Sequence, residues 1–179
     1  MMKDDCQPNV VTFNNLINGY CKSGKIDKAL CLLKDMPLKG LTPNVVTYTT
    51  LIDSLCKNAK LDKALEKLKE MQNNGVAPDI ITYNSLMDGF CEAGRPVEAL
   101  DVFSLLVDKR LLPNVHSYTI IIKGLCNKGL ITDADELFKK MEDNGCSPND
   151  FTFNTLIRGF LDCKDISRAL ELVSIMRSK

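Results

Sequence analysis

Two polar places recur in this 179-residue chain at a spacing suited to reading the edge of a nucleobase. One is Asn or Thr, at Asn14, Thr49, Asn84, Thr119 and Asn154; the other is Asn or Asp, at Asn44, Asp79, Asn114 and Asn149. An amide both donates and accepts, a carboxylate only accepts, and a hydroxyl rotates to suit. Pairs drawn from these groups can discriminate between bases by leaving the wrong base with an unpaired polar group.

Other chemistries find little material. The chain has eight cysteines but no Cys-x-x-Cys, and His116 is its only histidine, so a zinc site lacks its ligands. A nucleophile and base would need that same histidine beside a serine or cysteine, with an orienting carboxylate. No phosphate-cradling glycine loop and no paired-carboxylate motif rises above background. The chain is therefore expected to be no enzyme, to need no cofactor and to hold no metal. Charge narrows the binding modes further: Lys plus Arg number 23, as do Asp plus Glu, and the sequence pI is near 6.6. Phosphate neutralisation needs a cationic excess, which leaves selection through bases. No apolar run approaches the roughly 18 residues of a membrane span, so no membrane partner is expected. Without a secretory pattern, the cysteines fit a reducing compartment better than a disulfide framework.

The elements that hold the two polar places follow a period. Pro8, Pro43, Pro78, Pro113 and Pro148 lie 35 residues apart, each followed by Asn or Asp and then by an aromatic at Phe13, Tyr48, Tyr83, Tyr118 and Phe153. The units are 10–44, 45–79, 80–114, 115–149 and an incomplete 150–179; residues 1–9 are expected to be the tail of a preceding unit, and the whole to be part of a longer array. Thr or Ser stands at the third place of each unit, alanine at the twentieth, and methionine near the end at Met36, Met71, Met141 and Met176. Apolar residues recur at helical spacing, as in Phe13, Leu16, Ile17 and Tyr20 and again in Ala29, Leu30, Leu33 and Met36, so each unit is two amphipathic helices. Gly24, Gly94 and Gly129 end first helices, and Gly40, Gly75 and Gly145 end second ones. Asp27, Asp62, Thr132 and Ser167 are expected to cap the second helices, except in the third unit, whose second helix opens on proline at Pro96. Helix pairs this short cannot bury their apolar faces alone and must stack into a superhelical solenoid.

Winding each first helix at about 100° per residue puts the fourth, seventh, eighth and eleventh places on a core face. The second, fifth, ninth and thirteenth lie opposite. That opposite face is polar except at its second place, where Val11, Val46, Ile81, His116 and Phe151 form a row. Unstacked bases held between flat side chains are how sequence-specific readers present RNA, and this row could sandwich them. Lys22 and Lys57 are placed to meet phosphates, although Glu92, Asn127 and Asp162 take the same place in later units. The competing reading of Asn44 and its equivalents is that they cap the following helix; capping alone does not explain why the fifth place varies only between Asn and Thr.

Runs such as Val46-Thr47-Tyr48-Thr49-Thr50-Leu51-Ile52-Asp53 and Ile81-Thr82-Tyr83-Asn84-Ser85-Leu86-Met87-Asp88-Gly89, with the Gly-x-x-Pro-Asn or Gly-x-x-Pro-Asp ends, resemble the pentatricopeptide repeat proteins throughout residues 10–179. The unbroken period is similar to the P-type subclass, and the Gly-Tyr-Cys-Lys and Gly-Phe-Cys-Glu segments look most like plant restorer-of-fertility relatives. The resemblance implies an all-α fold, a right-handed superhelical α-solenoid of antiparallel helix pairs. It implies single-stranded RNA as the partner, one repeat per base, in the processing, stabilisation or translation of organellar transcripts, mitochondrial or alternatively chloroplast. The family's pairing rule, carried onto Asn14 with Asn44, implies cytosine or uracil. Thr49 with Asp79 implies guanine, Asn84 with Asn114 a pyrimidine, Thr119 with Asn149 adenine, and Asn154 alone a pyrimidine. Together these give 5′-YGYAY-3′, with Y a pyrimidine. Departures are Asp150-Phe151 in place of an aliphatic pair, Arg110 in place of a glycine, and the shortened fifth unit. The alternative is a tetratricopeptide-like protein-interaction scaffold, whose period of 34 residues and Trp, Gly and Pro consensus the chain does not follow.

Overall fold

The computed structural model describes residues 7–178, which form ten α-helices of 13 residues each, with no strand among the described residues. They are α1 (Val10–Lys22), α2 (Ile26–Leu38), α3 (Val45–Lys57), α4 (Leu61–Asn73), α5 (Ile80–Glu92), α6 (Pro96–Asp108), α7 (Val115–Asn127), α8 (Ile131–Asp143), α9 (Asp150–Asp162) and α10 (Ile166–Ser178). The fold is an all-α helical-repeat solenoid. Residues 1–6 of the expected leading tail, and Lys179, lie outside the described residues. The chain divides into two compact units, Met1–Thr82 and Tyr83–Lys179. In the first, α1 packs on α2 and α3, and α3 packs on α2 and α4; in the second, α6 packs on α7, α7 on α8 and α9, and α9 on α8 and α10.

The first helices begin on built caps. Asn9, Asn44, Asn114 and Asn149 are extended, and each accepts a hydrogen bond from the backbone N–H three residues on. In the first three of these, the Thr or Ser at that third place accepts from the cap's own N–H, closing a capping box. Asp79 Oδ1 likewise accepts from Thr82 N at 2.9 Å.

The second helices start differently from expectation. Asp27, Asp62, Thr132 and Ser167 are not caps: α2, α4, α8 and α10 already begin at Ile26, Leu61, Ile131 and Ile166. Lys25, Lys60 and Leu130 hold the cap position with no side-chain bond. In α2 and α4 the cause is burial at the first helical residue, since Ile26 and Leu61 belong to the core and draw the helix start back to include themselves; Ile131 is half-buried and Ile166 exposed, so burial does not account for α8 and α10. Asp27 and Asp62 then sit in the first turn, where a carboxylate favours the helix dipole. At α10 it is Asp165 that caps, accepting from Arg168 N at 3.1 Å. Pro96 does open α6.

Helix ends turn through a left-handed residue, a glycine at positions 24, 40, 75, 94, 129 and 145. Ala59, Arg110 and Lys164 adopt the same conformation with φ of 55°, 59° and 64°. Around each of them the chain still closes back on the helix, as in Lys60 N to Leu55 O at 2.9 Å and Leu111 N to Leu106 O at 3.1 Å.

The helical stripe forms the core. Tyr48, Leu51, Ile52 and Leu55 of α3 are buried, as are Tyr118, Ile121, Ile122 and Leu125 of α7, together with Ala64, Met71, Ala134 and Met141 of the second helices. In α1, Phe13 and Ile17 are buried but Leu16 is 48% exposed, against 0% for its counterpart Leu51. No helix pair precedes α1 among the described residues to cover it. Adjacent first helices approach closely where a cysteine meets a glycine. A Cβ built on Gly124 would stand 2.2 Å from Cys91 Sγ, and one on Gly159 would stand 2.6 Å from Cys126 Sγ. Burial pushes both thiols up to about 12, so they act as small apolar fillers.

Candidate functional site

The two polar places come together in space through a third. Asn14 Nδ2 donates to Asn44 Oδ1 at 3.2 Å, and Thr47 Oγ1 donates to Asn14 Oδ1 at 2.6 Å. Thr49 Oγ1 lies 2.7 Å from Thr82 Oγ1, which donates to Asp79 Oδ1 at 2.9 Å. Ser117 Oγ donates to Asn84 Oδ1 at 2.8 Å and is 3.1 Å from Asn114 Oδ1. Thr119 Oγ1 is 2.8 Å from Thr152 Oγ1, which is 2.9 Å from Asn149 Oδ1. A first-helix residue in the fifth place is thus linked to the capping residue of the next first helix by that helix's third-place hydroxyl.

Sequence reasoning noticed the constant Thr or Ser but gave it no role. A hydroxyl retained at one place on every repeat was the available signal. The arrangement also revises two expectations. Capping is real at Asn9, Asn44, Asp79, Asn114 and Asn149, and the restriction of the fifth place to Asn and Thr has a structural cause, since it must exchange a hydrogen bond with the third-place hydroxyl. The fifth place is also not an open polar surface throughout: Asn84 is 6% and Thr119 4% exposed, Asn14 and Thr49 are half-buried, and only Asn154 is exposed.

Capping uses one side-chain oxygen and leaves the other polar atom. On the exposed Asn44, Asn114 and Asn149 that atom is Nδ2, a donor, with no protein partner among the described residues. On Asp79 it is Oδ2, an acceptor. Beside these groups stands the apolar row. Val11, Val46, Ile81 and Phe151 are 57–64% exposed and His116 is exposed as well. Within the second unit, row and polar groups share a cleft of about 490 Å³ lined by Asn114, Val115, His116, Thr119, Asn149 and Phe151.

Lower on the same face, Lys22 is exposed, whereas Lys57 Nζ sits 2.7 Å from Asp53 Oδ2 and is not a free cation. Lys123 lies 3.8 Å from Asp88. Exposed pairs of this kind contribute about 0–1 kcal/mol, so a phosphate could compete for either lysine. Among the described residues no three His, Cys, Asp or Glu side chains gather as a metal site would need, and no helix is long and apolar enough to cross a membrane.

A family model described as PPR repeat family matches residues 8–57, 43–92, 78–127 and 118–162, and one described as PPR repeat matches residues 151–179. Among curated proteins, the chain is 54% identical over 39 residues to a pentatricopeptide repeat-containing protein of Arabidopsis thaliana, a match spanning 21% of this chain and 5% of that protein. Another from the same plant is 45% identical over 40 residues, 22% of this chain and 6% of that protein. Among solved structures, the pentatricopeptide repeat protein PPR10 from maize is 25% identical with a TM-score of 0.81, over 96% of this chain and 25% of that one. PPR10 in complex with an 18-nt psaJ RNA element is 27% identical with a TM-score of 0.83, over 97% of this chain and 26% of that one. The PPR domain of Arabidopsis protein-only RNase P 1, solved with tRNA, shares the fold with a TM-score of 0.76 at 19% identity, over 94% of this chain and 89% of that one.

Proposed function

The chain belongs to the PPR repeat family, and from that premise we propose that it reads single-stranded RNA, one base per helix pair, with the provisional target 5′-YGYAY-3′. The observation that carries the reading is the polar atom left over at each cap, set beside an exposed apolar row against which a base can stack. The likeness to PPR10, solved with an RNA element, supports the same partner.

The leftover atoms match the base assignments in kind. Asn84 spends its oxygen on Ser117, so its Nδ2 and that of Asn114 both offer donors. Cytosine presents two adjacent acceptors, N3 and O2, and uracil presents acceptor oxygens. Asn14 with Asn44 offers donors too, although one N–H of Asn14 Nδ2 is already given to Asn44 Oδ1, which leaves its second N–H beside the Asn44 amide. Asp79 offers an acceptor, and Thr49 joins it as a second if its proton points to Thr82; guanine alone presents two adjacent donors, N1–H and N2–H. Thr119 donates to Val115 O at 2.7 Å and keeps a lone pair, while Asn149 offers a donor. Adenine, with a donor at N6 and an acceptor at N1, suits that pair. Val11, Val46, Ile81, His116 and Phe151 would hold the bases by stacking, at about 1–3 kcal/mol per base, and Lys22 and Lys57 would contribute weakly at the phosphates.

Biologically, the proposal is binding without a reaction of the chain's own, acting on the processing, stability or translation of organellar transcripts. The mitochondrion is the first choice of compartment and the chloroplast the second. The Arabidopsis relatives support a plant setting. The test is Thr49→Asn with Asp79 unchanged, titrated against short RNAs that differ only in the second base. An amide donor beside a carboxylate acceptor suits uracil, so preference should move from guanine to uracil by about tenfold. Equal binding of all four bases before and after the change would sink the base-reading proposal.

A further inference from the structure

The hydroxyl between the two reading places has a single proton, and its neighbours decide where that proton goes. Thr82 is fully buried at 0% exposure, so water cannot take the bond instead. Asp79, as a carboxylate, only accepts, and its Oδ1 lies 2.9 Å from Thr82 Oγ1. With Thr82's proton committed to Asp79, the 2.7 Å contact with Thr49 requires Thr49 to be the donor. Thr49 therefore turns its proton inward and leaves lone pairs for a ligand.

The amide repeats are polarised the opposite way. Thr47 Oγ1 accepts from Asn44 N at 3.1 Å and gives its proton to the nearer oxygen, Asn14 Oδ1 at 2.6 Å, rather than to Asn44 Oδ1 at 3.1 Å. Ser117 makes the same choice for Asn84, at 2.8 Å against 3.1 Å. That fixes both amides with their oxygens inward, leaving the Asn84 nitrogen available and, on Asn14, the N–H that is not given to Asn44 Oδ1.

We infer that the third-place hydroxyls Thr47, Thr82 and Ser117 are positioning residues for specificity: each couples the capping residue to the fifth-place residue and sets whether the latter shows a base a donor or an acceptor. The inference rests on the base-reading proposal above. Its consequence is that the two reading places do not act independently. Asp79 reads guanine partly through Thr49, by way of a side chain that never touches RNA.

The experiment uses the full chain in equilibrium competition with four single-stranded RNAs, 5′-CNCAC-3′ with N each base in turn, and a second set, 5′-CGCNC-3′. Thr82→Val keeps the shape and removes the hydroxyl, freeing the Thr49 proton to point outward. Its preference for guanine at the second base should fall about tenfold while the adenine preference at the fourth base is unchanged. Thr82→Ser should restore the guanine preference. Ser117→Ala repeats the test on α7, where it releases the Asn84 oxygen: the pyrimidine preference at the third base, read with 5′-CGNAC-3′, should fall alone, and this variant serves if Thr82→Val does not melt cooperatively. A guanine preference that survives Thr82→Val, an equal weakening toward all four bases, or a loss that Thr82→Ser does not rescue would each overturn the coupling. An unsubstituted chain with no preference at any position would instead overturn base reading itself.

Discussion

Gly19 in α1 and Gly124 in α7 occupy the same place in their repeats and meet opposite surroundings. A Cβ on Gly19 would have nothing within 4 Å, whereas one on Gly124 would be 2.2 Å from Cys91 Sγ and 2.8 Å from Cys91 Cβ. A glycine inside a helix costs about 1 kcal/mol relative to alanine. In α7 that cost permits two first helices to approach; in α1 no neighbour makes use of it among the described residues. Ser54 in α3 shows a third solution, a side chain small enough to sit beside Cys21, whose thiol is pushed up by burial and partly relieved by the Ser54 hydroxyl. A repeat motif thus carries the packing rule of its interior even where the local helix does not need it.

The difference can be broken or sharpened by substitution. Gly124→Ala should be the most costly, about 3 kcal/mol in urea unfolding, the upper end for inserting a methyl into a filled contact. Adding Cys91→Ala removes Sγ but keeps the Cβ at 2.8 Å, so it should recover part of that loss, and no recovery at all would show that Gly124 is needed for something other than room for the thiol. Gly159→Ala should cost less, about 2 kcal/mol, because its contacts are longer, with Cys126 Sγ at 2.6 Å and both Cys126 Cβ and Ile131 Cδ1 at 2.9 Å. Gly19→Ala should have the opposite sign and raise stability by up to about 1 kcal/mol; a destabilised variant would contradict the open surroundings of α1. Arg110→Gly should add a similar or smaller gain, since a non-glycine residue at φ 59° carries a left-handed penalty of about 1 kcal/mol.

At neutral pH, the buried thiols should leave stability unaffected. Folding holds Cys91 and Cys126 protonated to about 12, while the unfolded chain releases those protons from about 9.0 upward. The unfolded state therefore binds fewer protons in that window, and stability should fall as pH rises from 9.0 toward 12. Cys91→Ala should flatten this alkaline slope in pH-dependent denaturation; an unchanged slope would place its source elsewhere.

What the sequence disclosed was what a single helix decides for itself. The Tyr48, Leu51, Ile52 and Leu55 stripe, the glycine turns and the start at Pro96 all follow from spacings of a few residues. What it concealed depends on neighbours. Leu16 repeats the Leu51 pattern yet stays half exposed because burial requires an adjoining pair. Asp27 looks like a cap, but the burial of Ile26 moves the helix start ahead of it. The hydrogen bond from Thr47 to Asn14 spans 33 residues, a separation at which local pattern carries no geometry. The row from Val11 to Phe151 and the two polar places were visible by type and period; their wiring through a buried hydroxyl was not.

The dual duty of Asn44 bears on how such a reader could change its target. Because the residue that would contact the base also starts a helix, the alphabet at that place is confined to side chains that cap well, essentially Asn, Asp, Ser and Thr. Rewriting a repeat is then an edit to a helix terminus, and a letter such as alanine forfeits about 1 kcal/mol of folding stability before any RNA is bound. Vocabulary size in this architecture is limited by helix chemistry as much as by the bases it distinguishes.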